Sequence, residues 1–212
     1  MTKENKLHLM LAIFVTALIC ANILGVKIIS VFGMAVSVGI FMFPLTFLIT
    51  DIVEEVEGRE KTKIFIKAGA ISLIIVFLYT ALSVWLEPNA RYTNDYAFQV
   101  IFKGSLRMIF ASLVAFLIGQ YHDIWAFDFW KKKTKGKYLW LRNNASTFIS
   151  QLIDSTIFMF IAFYKFAPQY DAWFIIKLII PYWLFKVLLA AIDTPFCYWG
   201  VTWLKGEKKK VN

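Results

Sequence analysis

The chain has 212 residues, 59% of them hydrophobic, with a mean hydropathy of +0.63 and a formal net charge of +9. With 21 Phe and 8 Trp it is far more aromatic than a soluble domain of this size needs, so the composition excludes a soluble helical protein and implies an integral membrane one. The positive charge reads as a topology signal and a match for anionic lipid, not as nucleic-acid binding, because nothing beside the run KKKTKGK from Lys131 resembles a recognition fold.

Hydropathy predicts an all-α fold, one domain over residues 1–212 with six transmembrane helices, each near the roughly 20 residues a bilayer core requires. The first runs from Leu7 to Ile29; it is read as a retained helix, because Ile19 before Cys20 is not the small residue a lipoprotein site wants and no small-x-small cleavage site follows. The second spans Met34 to Val56 and carries Pro44, Thr46, Thr50, Asp51 and Glu54, with Phe43, Phe47, Asp51 and Glu54 at helical spacing on one side. Glu54, near the end, is as readily a solvated carboxylate; Asp51 lies deeper in apolar sequence.

The third span covers Ile64 to Leu86 and the fourth Phe98 to Tyr121. Arg107 in the fourth either snorkels to the interface or faces the interior to bind a carboxylate or a substrate carbonyl. From about 122 to 141 an aromatic and basic loop is expected to lie as a short interfacial helix, with Ile124, Trp125, Phe127, Phe129 and Trp130 ahead of the lysines. The fifth span, Asn143 to Phe166, places Asn143, Thr147, Gln151 and Asp154 on one helical face, with Phe158 one turn further on. An ionised carboxylate at that depth is costly unless something pairs with it or uses it.

The sixth span, Trp173 to Leu204, is long for one crossing, so a tilt or an amphipathic lead-in before Pro181 is expected. It carries Tyr182, Lys186 and Asp193 on one face, and Asp193-Thr194-Pro195 should break or kink it. Lys186 needs a counter-charge, for which Asp154 and Asp193 are the candidates, and a buried pair of purely structural role is the competing reading. Sixteen of the 23 basic residues fall in the segments on one side of a six-span arrangement, which puts both termini in the cytoplasm. Cys20 and Cys197 are packing residues, His8 and His122 lie near span ends, and no metal site or cofactor is indicated.

Four blocks in order then carry a resemblance: FPLTFLITD from Phe43 followed by Gly58; Arg107 with Ala111-Ser112, Gly119-Gln120 and Asp123; STFISQLIDSTIF from Ser146; and Tyr182 with Lys186. This pattern, from Phe43 to Lys186, resembles the queuosine precursor transporters of the vitamin uptake transporter group. The resemblance implies a six-span bacterial inner-membrane protein, related to the substrate-binding subunits of energy-coupling factor importers, that takes up 7-deazaguanines such as 7-cyano-7-deazaguanine, 7-aminomethyl-7-deazaguanine or queuine for tRNA modification. Such a base offers a ring N–H and an exocyclic amine to one carboxylate and a carbonyl to a donor. Asp154, Asp51 or Glu54 would serve the first edge and Gln151, Asn143, Lys186 or Arg107 the second, with Phe43, Phe47, Phe158 or Tyr182 stacking on the ring. The sharpest form of this reading has Asp154 and Gln151 at the guanine-like edge and Lys186 balancing charge.

The chain has no Gly-rich phosphate loop, so a stand-alone facilitator or a proton-coupled carrier, with Asp154 or Asp51 carrying the proton, is the expected mode. The alternative is a substrate-binding subunit for another vitamin or nucleobase-like compound, docked on energising subunits through the small-xxx-small pair Ala17 and Ala21. The expected partners are the small-molecule substrate and the lipid bilayer, with a homodimer or energising subunits left open. An intramembrane enzyme would need a nucleophile or metal cluster that two lone histidines do not supply.

Overall fold

The computed structural model describes residues 1–31, 34–165 and 171–206. Lys208 to Lys210 and the expected end of the fifth span at Phe166 lie outside them. In chain order the elements are α1 (Lys3–Ile23), a 3-10 turn (Leu24–Val26), β1 (Ile28–Val31), β2 (Met34–Ser37), a second 3-10 turn (Val38–Phe41), α2 (Phe43–Glu57), α3 (Arg59–Trp85), α4 (Asp95–Lys133), α5 (Leu139–Phe163) and α6 (Ala172–Lys205).

Burial departs from that of a soluble protein at both the surface and the interior. Ile75, Leu78, Trp85, Leu188, Phe196 and Trp199 are exposed, while Asp51, Glu54, Asp123, Arg142, Asp154 and Lys186 are buried. A wall of apolar side chains around a polar interior is what a bilayer solvent selects. Among the described residues five segments, α1 continued to Val26 and α3 to α6, are long and apolar enough to cross a membrane.

The second predicted span is corrected. No helix runs from Met34; residues 28–31 and 34–37 pair as the two antiparallel strands of a hairpin with Ile28 opposite Ser37, and the helix starts only at Phe43, with Pro44 in its first turn. At 15 residues α2 measures about 22 Å, short of the roughly 30 Å hydrocarbon core. The reason lies in residue type: Ile28-Ile29-Ser30-Val31 and Val36-Ser37-Val38 are β-branched or turn-forming, and hydropathy cannot tell an apolar strand from an apolar helix. The base of the hairpin is fixed by Ser37, whose Oγ donates to the Gly25 carbonyl at 2.5 Å and accepts from the Gly39 N–H at 3.1 Å. Gly39 is required there, since a Cβ would stand 2.4 Å from the backbone oxygen of Ala21. Ala17 and Ala21, the small-xxx-small pair of the first helix, are both buried within the chain.

The expected loop over 122–141 is corrected as well: α4 runs unbroken through Lys133, so the aromatic and basic segment is the last part of one 39-residue helix, and the chain turns only from Thr134 to Tyr138. Gly136 (φ +74°) and Tyr138 (φ +55°) take left-handed backbone in that turn. Nor does Asp193-Thr194-Pro195 break α6, which continues across both Pro181 and Pro195. Proline lacks the N–H for the carbonyl one turn back, and here the flanking turns keep helical pairing around it.

Two apolar cores divide the molecule along its length. One, around Phe14, Leu18, Ile52, Phe65, Phe116 and Leu204, joins α1, α2, α3, α4 and the end of α6. The other sets Val36 and Ile40 of the hairpin segment against Met159 of α5 and Ile175, Ile179 and Tyr182 of α6. Charged contacts gather at one end of the bundle: Lys3 with Glu57 at 2.5 Å, Arg142 with Glu55 at 2.6 Å, Lys131 with Glu55 at 3.1 Å, and the Lys6 amine on the Trp203 carbonyl. The start of α1 and the end of α6 therefore lie at the same, basic end.

Candidate functional site

Polar residues of α2, α4, α5 and α6 face one another in the interior as a buried seam. On α5, Asn143, Ser146, Thr147, Ser150, Gln151, Asp154 and Ser155 are all at most 4% exposed, because offsets of three and four residues hold them on one side of the helix. Gly119 of α4 permits the approach: a Cβ there would stand 3.1 Å from the Asp154 Cβ.

Lys186 and Asp154 form the centre of one half of this seam. The Lys186 amine stands 2.6 Å from Asp154 Oδ2, and the two side chains are 3% and 5% exposed. The ammonium also lies over the rings of Phe43, 4.7 Å from its centroid, and Tyr182, at 5.2 Å. One carboxylate and two aromatic faces thus compensate a cation that could not be left alone at this depth. Gln151, one turn before Asp154, is buried with its Oε1 unpartnered. An amine, a carboxylate, an amide oxygen without a partner and two ring faces gathered on adjoining helices are groups that match a flat heterocycle with donors and a carbonyl on one edge.

A second polar group lies nearer the basic end. Asp51 of α2 and Asp123 of α4 are buried near each other, beside Ser146 and Ser150 of α5, whose hydroxyls donate to the Asn143 and Ser146 carbonyls at 3.2 and 2.8 Å. Glu54 sits one turn from Asp51 with Oε1 unpartnered, as are Oδ1 of Asp51, Oδ1 of Asp123 and Oδ1 of Asn143. Gln120 is wholly buried with neither end of its amide bonded. His122 Nδ1 is 2.9 Å from Ser150 Oγ.

Of the residues singled out in the sequence, Asp154, Lys186, Tyr182, Phe43 and Gln151 are brought together in the first group, and Asp51, Glu54 and Asn143 belong with the second. Thr147 is buried on the same face of α5. Phe47 is buried in α2 beyond Phe43, and Phe158 is half-buried against the hairpin-side core, its ring edge-on to Phe163 at 6.2 Å. Arg107 is engaged at the far end of α5, donating from Nε to the Ile161 carbonyl at 2.7 Å and from a terminal nitrogen to the Tyr164 carbonyl at 2.8 Å. It thereby satisfies carbonyls that a helix end leaves without partners. Asp193 is half-buried with Oδ2 unpartnered, and Asp154 is the carboxylate that meets Lys186.

Gln120, Asp123, Ser146, Ser150 and His122 enter the seam without having been singled out as site residues. The signal for the first two was their offset of three on α4 directly after Gly119, which puts both on the face that packs against α5.

Among known proteins, the chain is 29% identical over 183 residues to the "Probable queuosine precursor transporter" of Bacillus subtilis (strain 168), covering 86% of this chain and 79% of that protein. It is 26% identical over 164 residues to the "Queuosine precursor transporter" of Escherichia coli (strain K12), covering 77% of this chain and 72% of the relative. No solved structure matches the chain. The family described as "Putative vitamin uptake transporter" matches residues 37–200, which include the hairpin's last residue, both polar groups of the seam and the helices that carry them. The chain is a helical integral membrane protein that belongs to this vitamin uptake transporter family.

Proposed function

We propose that the chain imports a 7-deazaguanine precursor of queuosine across the bacterial inner membrane, as a stand-alone carrier. The names of its relatives support the substrate class. The observation that carries the reading to residues is the buried Lys186–Asp154 pair caged by Phe43 and Tyr182 beside the unpartnered amide oxygen of Gln151. In this reading the base enters between Phe43 and Tyr182, Asp154 accepts its ring N–H and exocyclic amine, and Gln151 or Lys186 meets the carbonyl. Lys186 supplies the charge balance that a buried carboxylate requires.

The same proposal takes six crossings with both termini cytoplasmic. The hairpin and the short α2 together make the second crossing, their backbone polar groups shielded by the helices around them. The gathering of the α1 start, the α2 end, the α4 end, the α5 start and the α6 end at the basic end supports this topology. The burial of Ala17 and Ala21 favours the stand-alone mode over docking to energising subunits through that pair.

Binding of a labelled 7-deazaguanine to the purified protein tests the assignment. Gln151→Ala is expected to weaken binding roughly tenfold or more, the effect of removing one partner from a buried hydrogen bond, and Asp154→Asn to weaken it further. Unchanged affinity in both variants would sink the site.

A further inference from the structure

We propose that Ser155 is a further substrate-binding residue, its hydroxyl donating to the ring carbonyl of the base while the neighbouring Gln151 accepts from one of the base's N–H groups. This rests on the 7-deazaguanine reading above and assigns the carbonyl's donor, which that reading leaves to Gln151 or Lys186.

Ser155 follows Asp154 on α5 and is wholly buried. It stands four residues after Gln151, so the two side chains are neighbours on one helical face, roughly 5–6 Å apart at Cβ. Ser155 Oγ and Gln151 Oε1 are both without a partner. A buried hydroxyl on a helix ordinarily turns back to a carbonyl of the preceding turn. The other two serines of this face do so: Ser146 Oγ donates to the Asn143 carbonyl at 3.2 Å and Ser150 Oγ to the Ser146 carbonyl at 2.8 Å. Ser155 leaves that bond unmade. An unmet hydroxyl and an unmet amide oxygen side by side, each costly at depth, are a donor and an acceptor held for a ligand that carries their complements.

Donors are the scarce group in this interior. Most of its unpartnered atoms are oxygens that accept, as on Asp51, Glu54, Asp123, Asn143 and Gln151. Among the described residues the buried donors without a partner are Ser155 Oγ, Gln120 Nε2 and Arg142 Nε. Arg142 belongs to the basic end, where it pairs with Glu55. Gln120 lies on the stripe Phe116, Gln120, Ile124 of α4, whose two apolar members pack into the core around Phe14 and Phe65. The Lys186 amine is held by Asp154 at 2.6 Å. A base with several N–H groups and one carbonyl needs many acceptors and one donor. Ser155, beside Asp154 and one turn from Gln151, is that donor.

Binding to the purified full chain, with 7-cyano-7-deazaguanine and its 6-thione analogue as probes, tests this. The thione keeps the ring N–H and the exocyclic amine and replaces the carbonyl oxygen with sulfur, a weak acceptor. Wild type is expected to bind the oxo probe roughly tenfold or more tightly than the thione. Ser155→Ala is expected to weaken the oxo probe about tenfold and to leave the thione little changed, so that the preference disappears. Ser155→Cys keeps the volume and offers only a weak donor; it is expected to lose the preference too, and it decides the matter if Ser155→Ala does not fold. A wild-type preference retained in the folded variant overturns the assignment. So does equal weakening of both probes, the mark of a packing residue, or a wild type that does not distinguish the two. Wild type that binds neither probe sinks the 7-deazaguanine reading itself, and the role of Ser155 falls with it.

Discussion

At the basic end, Glu55 meets both Arg142 and Lys131, Arg142 also donates to the Gly136 and Lys137 carbonyls at 2.9 and 3.0 Å, and Lys3 meets Glu57. Deeper in the seam, Asp51, Glu54, Gln120, Asp123, Asn143 and Gln151 each keep a buried polar atom without a partner. Both regions bury charge, yet one is paired several times over and the other is left partly open. Buried polar groups are normally satisfied, since an unmade hydrogen bond at depth costs about 1–3 kcal/mol. Most of these exceptions lie where α2, α4 and α5 face one another, which is where something outside the chain would complete the bonding; at the basic end Arg142 Nε is also without a partner, but each carboxylate there meets a cation.

Removing Lys186 should break this contrast most severely. Lys186→Met leaves Asp154 buried without its cation, and about 3–5 kcal/mol of stability is expected to go with it, seen as a large fall in the unfolding temperature of detergent-solubilised protein. Adding Asp154→Asn to Lys186→Met should recover most of that temperature but none of the binding, because the double variant restores neutrality without the recognition groups. Recovery of binding would assign the pair a structural role alone. Glu55→Gln should act at an intermediate level: Arg142 keeps its two backbone carbonyls, so a loss of about 1–2 kcal/mol is expected, with faster labelling of cysteines introduced beneath the basic end. Unchanged labelling would mean that these pairs do not hold that end closed. Lys132→Ala should do least. Its pair with Asp128 is 2.7 Å long but the lysine is 77% exposed, so a change within about 0.5 kcal/mol is expected, and a larger one would show that the basic end is more cooperative than its contacts indicate.

The α5 stripe and the Tyr182 and Lys186 positions were legible because a polar residue every three or four positions in an apolar run leaves few alternatives. The choice of Asp154 over Asp193 as the partner of Lys186 was not, since both are acidic and at workable offsets, and only the antiparallel packing of α5 on α6 decides between them. Asp123, although it carries part of the resemblance, was not taken as a site residue for a related reason. It stood where the fourth span was taken to end, and the α4 helix that continues ten residues past it to Lys133 turns an apparent terminus into an interior position. The hairpin was hidden by its own apolarity: Ile28 to Ser37 satisfies a hydropathy window as well as a helix does, and the pairing partner that makes it a strand is supplied by the fold.

The length of α4 sets a ruler through the protein. At 39 residues it extends roughly 58 Å, nearly twice the thickness of the hydrocarbon it passes through. Trp125, Phe129 and Trp130, followed by Lys131, Lys132 and Lys133, form a collar on its last three turns, with Lys133 lying 5.1 Å from the Trp130 ring centroid. Aromatic rings prefer the headgroup level and lysines the water beyond it. A bilayer made thinner or thicker therefore cannot slide along α4 past that collar. It must change the tilt of the helix instead, so the collar makes bilayer thickness an input to how α4 stands in the bundle.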